Sequence, residues 1–148
     1  MFKIAIVDDN ETWCFVLANF LQQEGLAVET FSDARKFLAV AAQFDLALVD
    51  FSMPAPIYRP EIDGAILIEQ IKTQIENPPT LLLISSFFTP DMVQHSQAIC
   101  EHADACLSKS LGLEGLLAEL QKWIPQKEQI DLQRRDFSLM VDDSKTNL

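Results

Sequence analysis

Asp8 and Asp9 follow a short apolar run (FKIAIVDD), Asp50 ends a second (DLALVD), Ser85-Ser86 a third (LLLISS), and Lys109 a fourth (ADACLSK). If those runs lie side by side, three carboxylates, a hydroxyl and an ammonium converge. At about 5 Å and an effective dielectric of about 20, each pair of carboxylates repels by roughly 3 kcal/mol. Such a cluster demands a counter-charge. An oxygen-only set without nearby His or Cys selects a hard cation, and Mg2+ binds through one or two carboxylates, a carbonyl and waters. Lys109 supplies a second positive charge from the other side. A carboxylate between two cations is a workable nucleophile toward phosphorus and would give an aspartyl phosphate. The Ser85 hydroxyl can donate to a phosphoryl oxygen, which would draw its loop inward and turn local chemistry into a surface change.

Only an ordered set of elements brings these residues together. Phe2–Asp8 is strand-like, and Asn10 is an N-cap for a helix to about Glu24, with Phe15, Val16, Phe20 and Leu21 on one face and Gly25 at its end. Leu26–Phe31 is a second strand, and Ser32 is expected to cap a helix carrying Phe37, Leu38 and Ala41. Asp45–Asp50 is a buried third strand, followed by the long loop Phe51–Asp63 and a helix over Gly64–Glu76. Leu81–Ser85 is the fourth strand, Thr89-Pro90 opens one helix to about His102, Ala103–Ser108 is the fifth strand, and Leu113–Trp123 the last helix. Phe87-Phe88 is read as packing, with Phe87 near enough to the socket to limit water, and His95 and His102 as surface or packing residues.

Strands apolar on both faces, Leu46–Val49 and Leu81–Ile84, belong in a parallel sheet covered by helices. The expected fold is α/β, a (βα)5 doubly wound parallel five-stranded sheet in the flavodoxin-like order 2-1-3-4-5. Ligands of such sheets sit outside the carboxyl ends of the strands, where Asp8, Asp9, Asp50, Ser85 and Lys109 stand.

The 148 residues suit one compact domain with a short appendage, and 49% apolar content argues against wholesale disorder. A net charge of −11 disfavours nucleic acid and anionic membranes as partners, because the field repels phosphate. Cys14, Cys100 and Cys106 lack metal-ligand spacing and read as reduced core residues. With no signal-peptide layout and no apolar span, a cytoplasmic location is expected.

Together the segments IAIVDDN, LALVDFSMP, the Asp-Gly before the third helix, LLLISS and ADACLSK resemble the receiver domains of bacterial two-component response regulators, of the chemotaxis-switch type. The resemblance runs from Met1 to about Trp123. It implies that Asp50 is the phospho-acceptor, taking its phosphoryl group from a histidine kinase or phosphotransfer protein. It implies that Asp9 ligates Mg2+ (or Mn2+) directly, that Asp8 acts largely through water, and that the Ser52 carbonyl is the backbone ligand. Ser85 matches the switch hydroxyl, with Ser86 as the alternative if the strand runs one residue longer, and Lys109 matches the phosphate-pairing lysine. Taken singly, Asp8-Asp9 could be a helix cap, Asp50 a turn residue and Lys109 a solvated side chain. Their order and spacing together argue for the site.

Three departures from the family pattern stand out. Ser110 follows Lys109 where proline is usual, so this peptide bond is expected to be trans. Cys106 occupies the place of the aromatic that normally rotates with the switch hydroxyl. The loop Phe51–Asp63 is long and carries Pro54, Pro56 and Pro60, as an insertion forming a fixed ridge would.

Residues 1–125 are expected to form the receiver, 126–137 a linker or exposed helix, and 138–148 (SLMVDDSKTNL) the truncated start of a second receiver, with the output domain outside this fragment. A homodimer is left open. The protein is expected to accept a phosphoryl group, and to catalyse at most its own phosphorylation and dephosphorylation, without being a turnover enzyme. Two other readings compete: a pseudo-receiver that binds proteins without phosphorylation, and a metal-dependent aspartyl-phosphate phosphatase.

Overall fold

The computed structural model describes residues 1–52 and 63–125. The expected linker 126–137, the expected start of a second unit 138–148 and the proline-bearing part of the loop lie outside the described residues.

Five parallel strands, β1 (Lys3–Val7), β2 (Ala27–Phe31), β3 (Leu46–Asp50), β4 (Thr80–Ser85) and β5 (Ala105–Ser108), form one sheet in the order β2-β1-β3-β4-β5. Helices α1 (Glu11–Gln23), α2 (Ala34–Val40), α3 (Gly64–Gln74), α4 (Pro90–Gln94), α5 (Ser96–Ile99) and α6 (Gly112–Gln121) connect and follow them. The expected doubly wound order is thus the observed one. The two-residue period of each strand sends alternate side chains into two cores. Ile4, Ile6, Leu46, Leu48, Leu82 and Ile84 pack under α1 and α6, whereas Ala5, Val7, Ala47, Val49, Leu81 and Leu83 pack under α2 and α3. Every residue of β3 is buried, which makes it the sheet's central support.

Helix α1 starts where Asn10 Oδ1 accepts the Trp13 N–H at 3.0 Å. It stops at Gly25, whose φ of 90° lets its N–H reach the Gln22 carbonyl while the Leu26 N–H reaches Leu21. Its buried face is Cys14, Leu17, Ala18 and Leu21. Phe15 and Val16, expected on that face, are exposed instead, and Phe20 is partly buried. The spacing i, i+3, i+4, i+7 is satisfied by Cys14, Leu17, Ala18 and Leu21, and Phe15 and Val16 fall off that stripe. A second correction concerns the cap of α2, which is Asp33 rather than Ser32: the Asp33 carboxylate accepts the Arg35 N–H at 2.8 Å. The single helix expected over 90–102 is two short ones, broken at His95, whose Nδ1 lies 2.9 Å from the Asp91 carbonyl oxygen. Phe88 is buried against Phe51, with ring centroids 5.6 Å apart, but its neighbour Phe87 is 78% exposed and packs on nothing in the core.

Candidate functional site

Asp8 follows the last residue of β1 and is fixed from four sides. Its N–H donates to the Phe31 carbonyl at 2.9 Å, and its Oδ1 accepts the Asn10 N–H at 2.9 Å. Its carbonyl accepts the Cys14 thiol at 3.3 Å, and its Oδ2 lies 2.6 Å from Lys109 Nζ. The residue is 1% exposed, whereas its neighbour Asp9 is exposed. Asp50 ends β3 and is 6% exposed, with Oδ1 3.5 Å from the same ammonium. One carboxylate oxygen from each of Asp8, Asp9 and Asp50 falls within 4.8 Å of the others. Three acidic groups facing one ammonium leave negative charge that Lys109 alone does not balance.

Burial and then mutual repulsion both act on Asp50 and Asp9. Burial, then the charge of Asp8, pushes the Asp50 carboxyl up to about 6, with Lys109 pulling it down in part. Burial and Asp8 also raise Asp9. Oxygen donors at this separation, carrying excess negative charge and with one face open at Asp9, fit a hard divalent cation.

The backbone around Asp50 is tight. Phe51 N–H donates to the Ile84 carbonyl at 2.9 Å, and Gly64 N–H to the Phe51 carbonyl at 3.2 Å. A Cβ on Gly64 would collide with the Asp50 carbonyl, so α3 can start beside the acidic residue only from glycine. Asp63 caps that helix through its carboxylate and the Ile66 N–H at 2.8 Å. The Asp-Gly pair therefore has two separate physical duties. Ser52 follows two residues after Asp50 and is exposed.

On the far side, β4 ends at Ser85, which is 2% exposed and whose Oγ accepts the Phe87 N–H at 3.1 Å. Ser86 is exposed, so Ser85 is the buried hydroxyl at the strand end. Asp50 pairs in register with Ile84, which leaves Ser85 one residue beyond it on the adjacent strand. Lys109 opens a 3-10 turn directly after β5. In place of the usual proline, Ser110 is tied back to the strand: Ser108 Oγ accepts the Ser110 N–H at 3.2 Å and lies 2.7 Å from Ser110 Oγ. No cis peptide occurs among the described residues, as expected for the Lys109-Ser110 bond. Cys106 is 1% exposed, and burial followed by the neighbouring Cys100 pushes its thiol up to about 11. His95 is exposed and bonded to its own helix, and His102 is partly buried.

Sequence reasoning missed Trp13. Its ring lies under Lys109, with Nζ 5.1 Å from the centroid. An aromatic residue in the first turn after Asp8-Asp9 was the available signal. Beside α1 lies a cavity of about 570 Å3, lined among others by Asp8, Glu11, Phe15, Gln22 and Glu29.

The comparisons with known proteins agree with this geometry. The family model described as the response regulator receiver domain matches residues 4–121. A curated relative, the regulatory protein VanRc of Enterococcus gallinarum, is 35% identical over 72 residues, which are 47% of this chain and 29% of that protein. The match thus spans less than a third of that relative's length. Among solved structures, the chemotaxis response regulator CheY4 of Vibrio cholerae superposes with a TM-score of 0.67 at 28% identity, covering 84% of this chain and 99% of that one. A CheY-like receiver domain protein of Methanospirillum hungatei shares the fold at 24% identity and a TM-score of 0.63, over 92% of this chain and 98% of that one. With sheet order, strand-end acids and family match in agreement, this chain belongs to the response regulator receiver domains, the signalling domains of two-component systems.

Proposed function

We propose that this receiver accepts a phosphoryl group on Asp50 from a histidine kinase or a phosphotransfer protein, and that Mg2+, or Mn2+ in its place, is held by Asp8, Asp9, Asp50 and the Ser52 carbonyl. The observation that carries the reading is the cluster of Asp8, Asp9 and Asp50 oxygens within 4.8 Å, facing Lys109, in a chain of this family. The bound cation would supply charge neutralisation for the oxygens of the transferring group.

In the transfer, an Asp50 carboxylate oxygen forms a new P–O bond, and the bond from phosphorus to the donor nitrogen breaks with its electron pair leaving on the donor. Lys109 bridges Asp8 and Asp50 and is placed to follow the charge from the carboxylate onto the phosphoryl oxygens. The Ser85 hydroxyl, now bonded to the Phe87 N–H, is the group that would turn to a phosphoryl oxygen and carry its loop with it. The site is read as single-turnover: the domain accepts and loses a phosphoryl group and is not an enzyme with a released product of its own. A receiver over residues 1–125, a linker or exposed helix over 126–137, and the start of a possible second receiver over 138–148 complete the proposal, with a cytoplasmic location. No helix among the described residues is long and apolar enough to cross a membrane.

Cys106 in place of the switch aromatic favours a second reading, a protein-binding module that signals without phosphorylation. One experiment separates the two. Intact mass after treatment with acetyl phosphate and Mg2+ should rise by one phosphoryl group that hydroxylamine removes, and Asp50→Asn should not take it up. An unchanged mass in the wild-type protein would favour the second reading, and uptake by Asp50→Asn would move the acceptor elsewhere.

A further inference from the structure

Lys109 is held in an unusual way at its own end of the site. The proline that would stiffen the next peptide is absent, and the chain turns instead through the Ser108–Ser110 hydroxyl pair at 2.7 Å. Two carboxylates draw the ammonium inward, at 2.6 Å to Asp8 and 3.5 Å to Asp50. The face of Trp13 covers part of its remaining side, 5.1 Å from Nζ to the ring centroid, and leaves the lysine side chain 18% exposed. That indole is not a loose surface side chain. Its backbone N–H is bonded to Asn10 Oδ1, the N-cap of α1, and its ring is partly buried against the core formed by α1 and α6. The Asn10 N–H in turn holds Asp8 Oδ1, so the residue that receives the ammonium and the ring that covers it are fixed by the same helix start.

We propose that Trp13 is a positioning residue for Lys109: its ring face keeps the ammonium between Asp8 and Asp50 and away from water. The inference rests on the assignment of Lys109 as the phosphate-pairing lysine, and it adds a residue to that site. An aromatic face attracts a cation electrostatically, and the attraction is larger where water is partly excluded. A lysine on a flexible stem, next to a turn without proline, gains most from such a wall, because four rotatable bonds otherwise let the charge swing to solvent. Trp13 touches the acidic cluster only through Lys109, so its effect is expected to appear first in the exposure of that lysine.

The test compares wild type with Trp13→Leu, Trp13→Met and Trp13→Phe, each checked for an unchanged melting profile. Brief acetylation by acetic anhydride, read by peptide mass spectrometry with Lys122 as internal reference, reports how open Lys109 is. Loss of the ring should raise Lys109 labelling by about threefold to tenfold, the range of a partly desolvated cation–π contact, and Trp13→Phe should restore most of the protection. Equal labelling in all four proteins would overturn the proposal, as would Trp13→Phe behaving like Trp13→Leu. If the position 13 variants fail to fold, Trp13 is left intact: in a Trp123→Phe background, Lys109→Met should shift Trp13 emission, and an unshifted spectrum would refute the contact. Phosphorylation by acetyl phosphate should slow in parallel in Trp13→Leu and recover in Trp13→Phe. Should the wild type take no phosphoryl group, the proposed function fails while labelling still decides the role of Trp13.

Discussion

The rim of the sheet has two halves that are built differently. On the β1–β3 side, Asp8 is bonded through its amide, its carbonyl and both carboxylate oxygens, and the thirteen-residue α1 behind it buries four side chains. On the β4–β5 side, the Ser85 hydroxyl accepts one nearby amide, and the connection is two helices of five and four residues that bury none of their own fully. Val93 and Ile99 reach the core only partly, and the strand below presents Cys106, a small buried side chain with Sγ 3.9 Å from the Ser96 carbonyl. Charge is concentrated where packing is dense, and the hydroxyl expected to respond to a phosphoryl group sits where packing is sparse. Local openings cost least where few apolar contacts are lost. The comparison therefore ties the chemistry to a stiff half and the readout to a soft one. If the site switches as proposed, position 106 has no ring to rotate with Ser85, and displacement of the α4–α5 segment is the expected route outward.

The largest test of the stiff half is Gly64→Ala. A Cβ there meets the Asp50 carbonyl rather than a movable side chain. Overpacking against backbone is expected to destabilise by about 3 kcal/mol, measured by urea unfolding; a loss below about 1 kcal/mol would mean the loop after β3 can yield.

Next comes the strain of crowded acids. In the metal-free protein Asp50 titrates near 6, above the roughly 3.9 of an unfolded chain. A carboxyl raised in the folded state favours folding while protonated. That contribution is full below the unfolded value and lost as pH rises through about 6. Asp50→Asn should therefore stabilise the protein in EDTA by about 1–2 kcal/mol at pH 7.5, and the gain should shrink steadily between pH 6 and pH 4. A gain independent of pH would assign it to something other than ionisation. The same crowding predicts that Mg2+ raises the melting temperature of the wild type and that Asp9→Ala removes most of the rise. In EDTA, Asp9→Ala should be at least as stable as wild type; a clear loss would show that Asp9 supports the fold by itself.

The smallest effect sharpens the contrast between halves. Asn10 and Thr89 both cap helices, accepting the Trp13 N–H at 3.0 Å and the Met92 N–H at 3.3 Å. Asn10→Ala should cost about 1 kcal/mol because α1 is part of the global core, and Thr89→Ala only a few tenths because α4 is short and little buried. Equal losses by denaturant titration would erase the distinction.

Sheet order and the site acids were legible from the sequence for one reason: apolar runs terminating in charge mark the carboxyl edge of parallel strands, and that edge is where ligands of doubly wound sheets bind. Helix phase was less legible. Phe15 and Val16 are more apolar than Cys14 and Ala18, yet the stripe set by Leu17 and Leu21 buries the smaller pair, and the apolar character of single residues does not encode helix phase. Ser32 and Asp33 are both good caps one residue apart, so only the entry of the chain into α2 decides between them. The break at His95 has no glycine or proline to announce it. Trp13 and Lys109 are far apart in sequence, and their contact follows from the lysine side chain reaching from the end of β5 to Asp8 at the start of α1, which no local pattern carries.

The central claim is that Asp50 is the acceptor, and chemical trapping addresses the residue itself. Borohydride reduces an acyl phosphate to an alcohol, so after incubation with acetyl phosphate and Mg2+ the acceptor aspartate becomes homoserine. Peptide sequencing by mass spectrometry should find homoserine at position 50, dependent on both donor and metal. Homoserine at Asp8 or Asp9, or at no position, would contradict it.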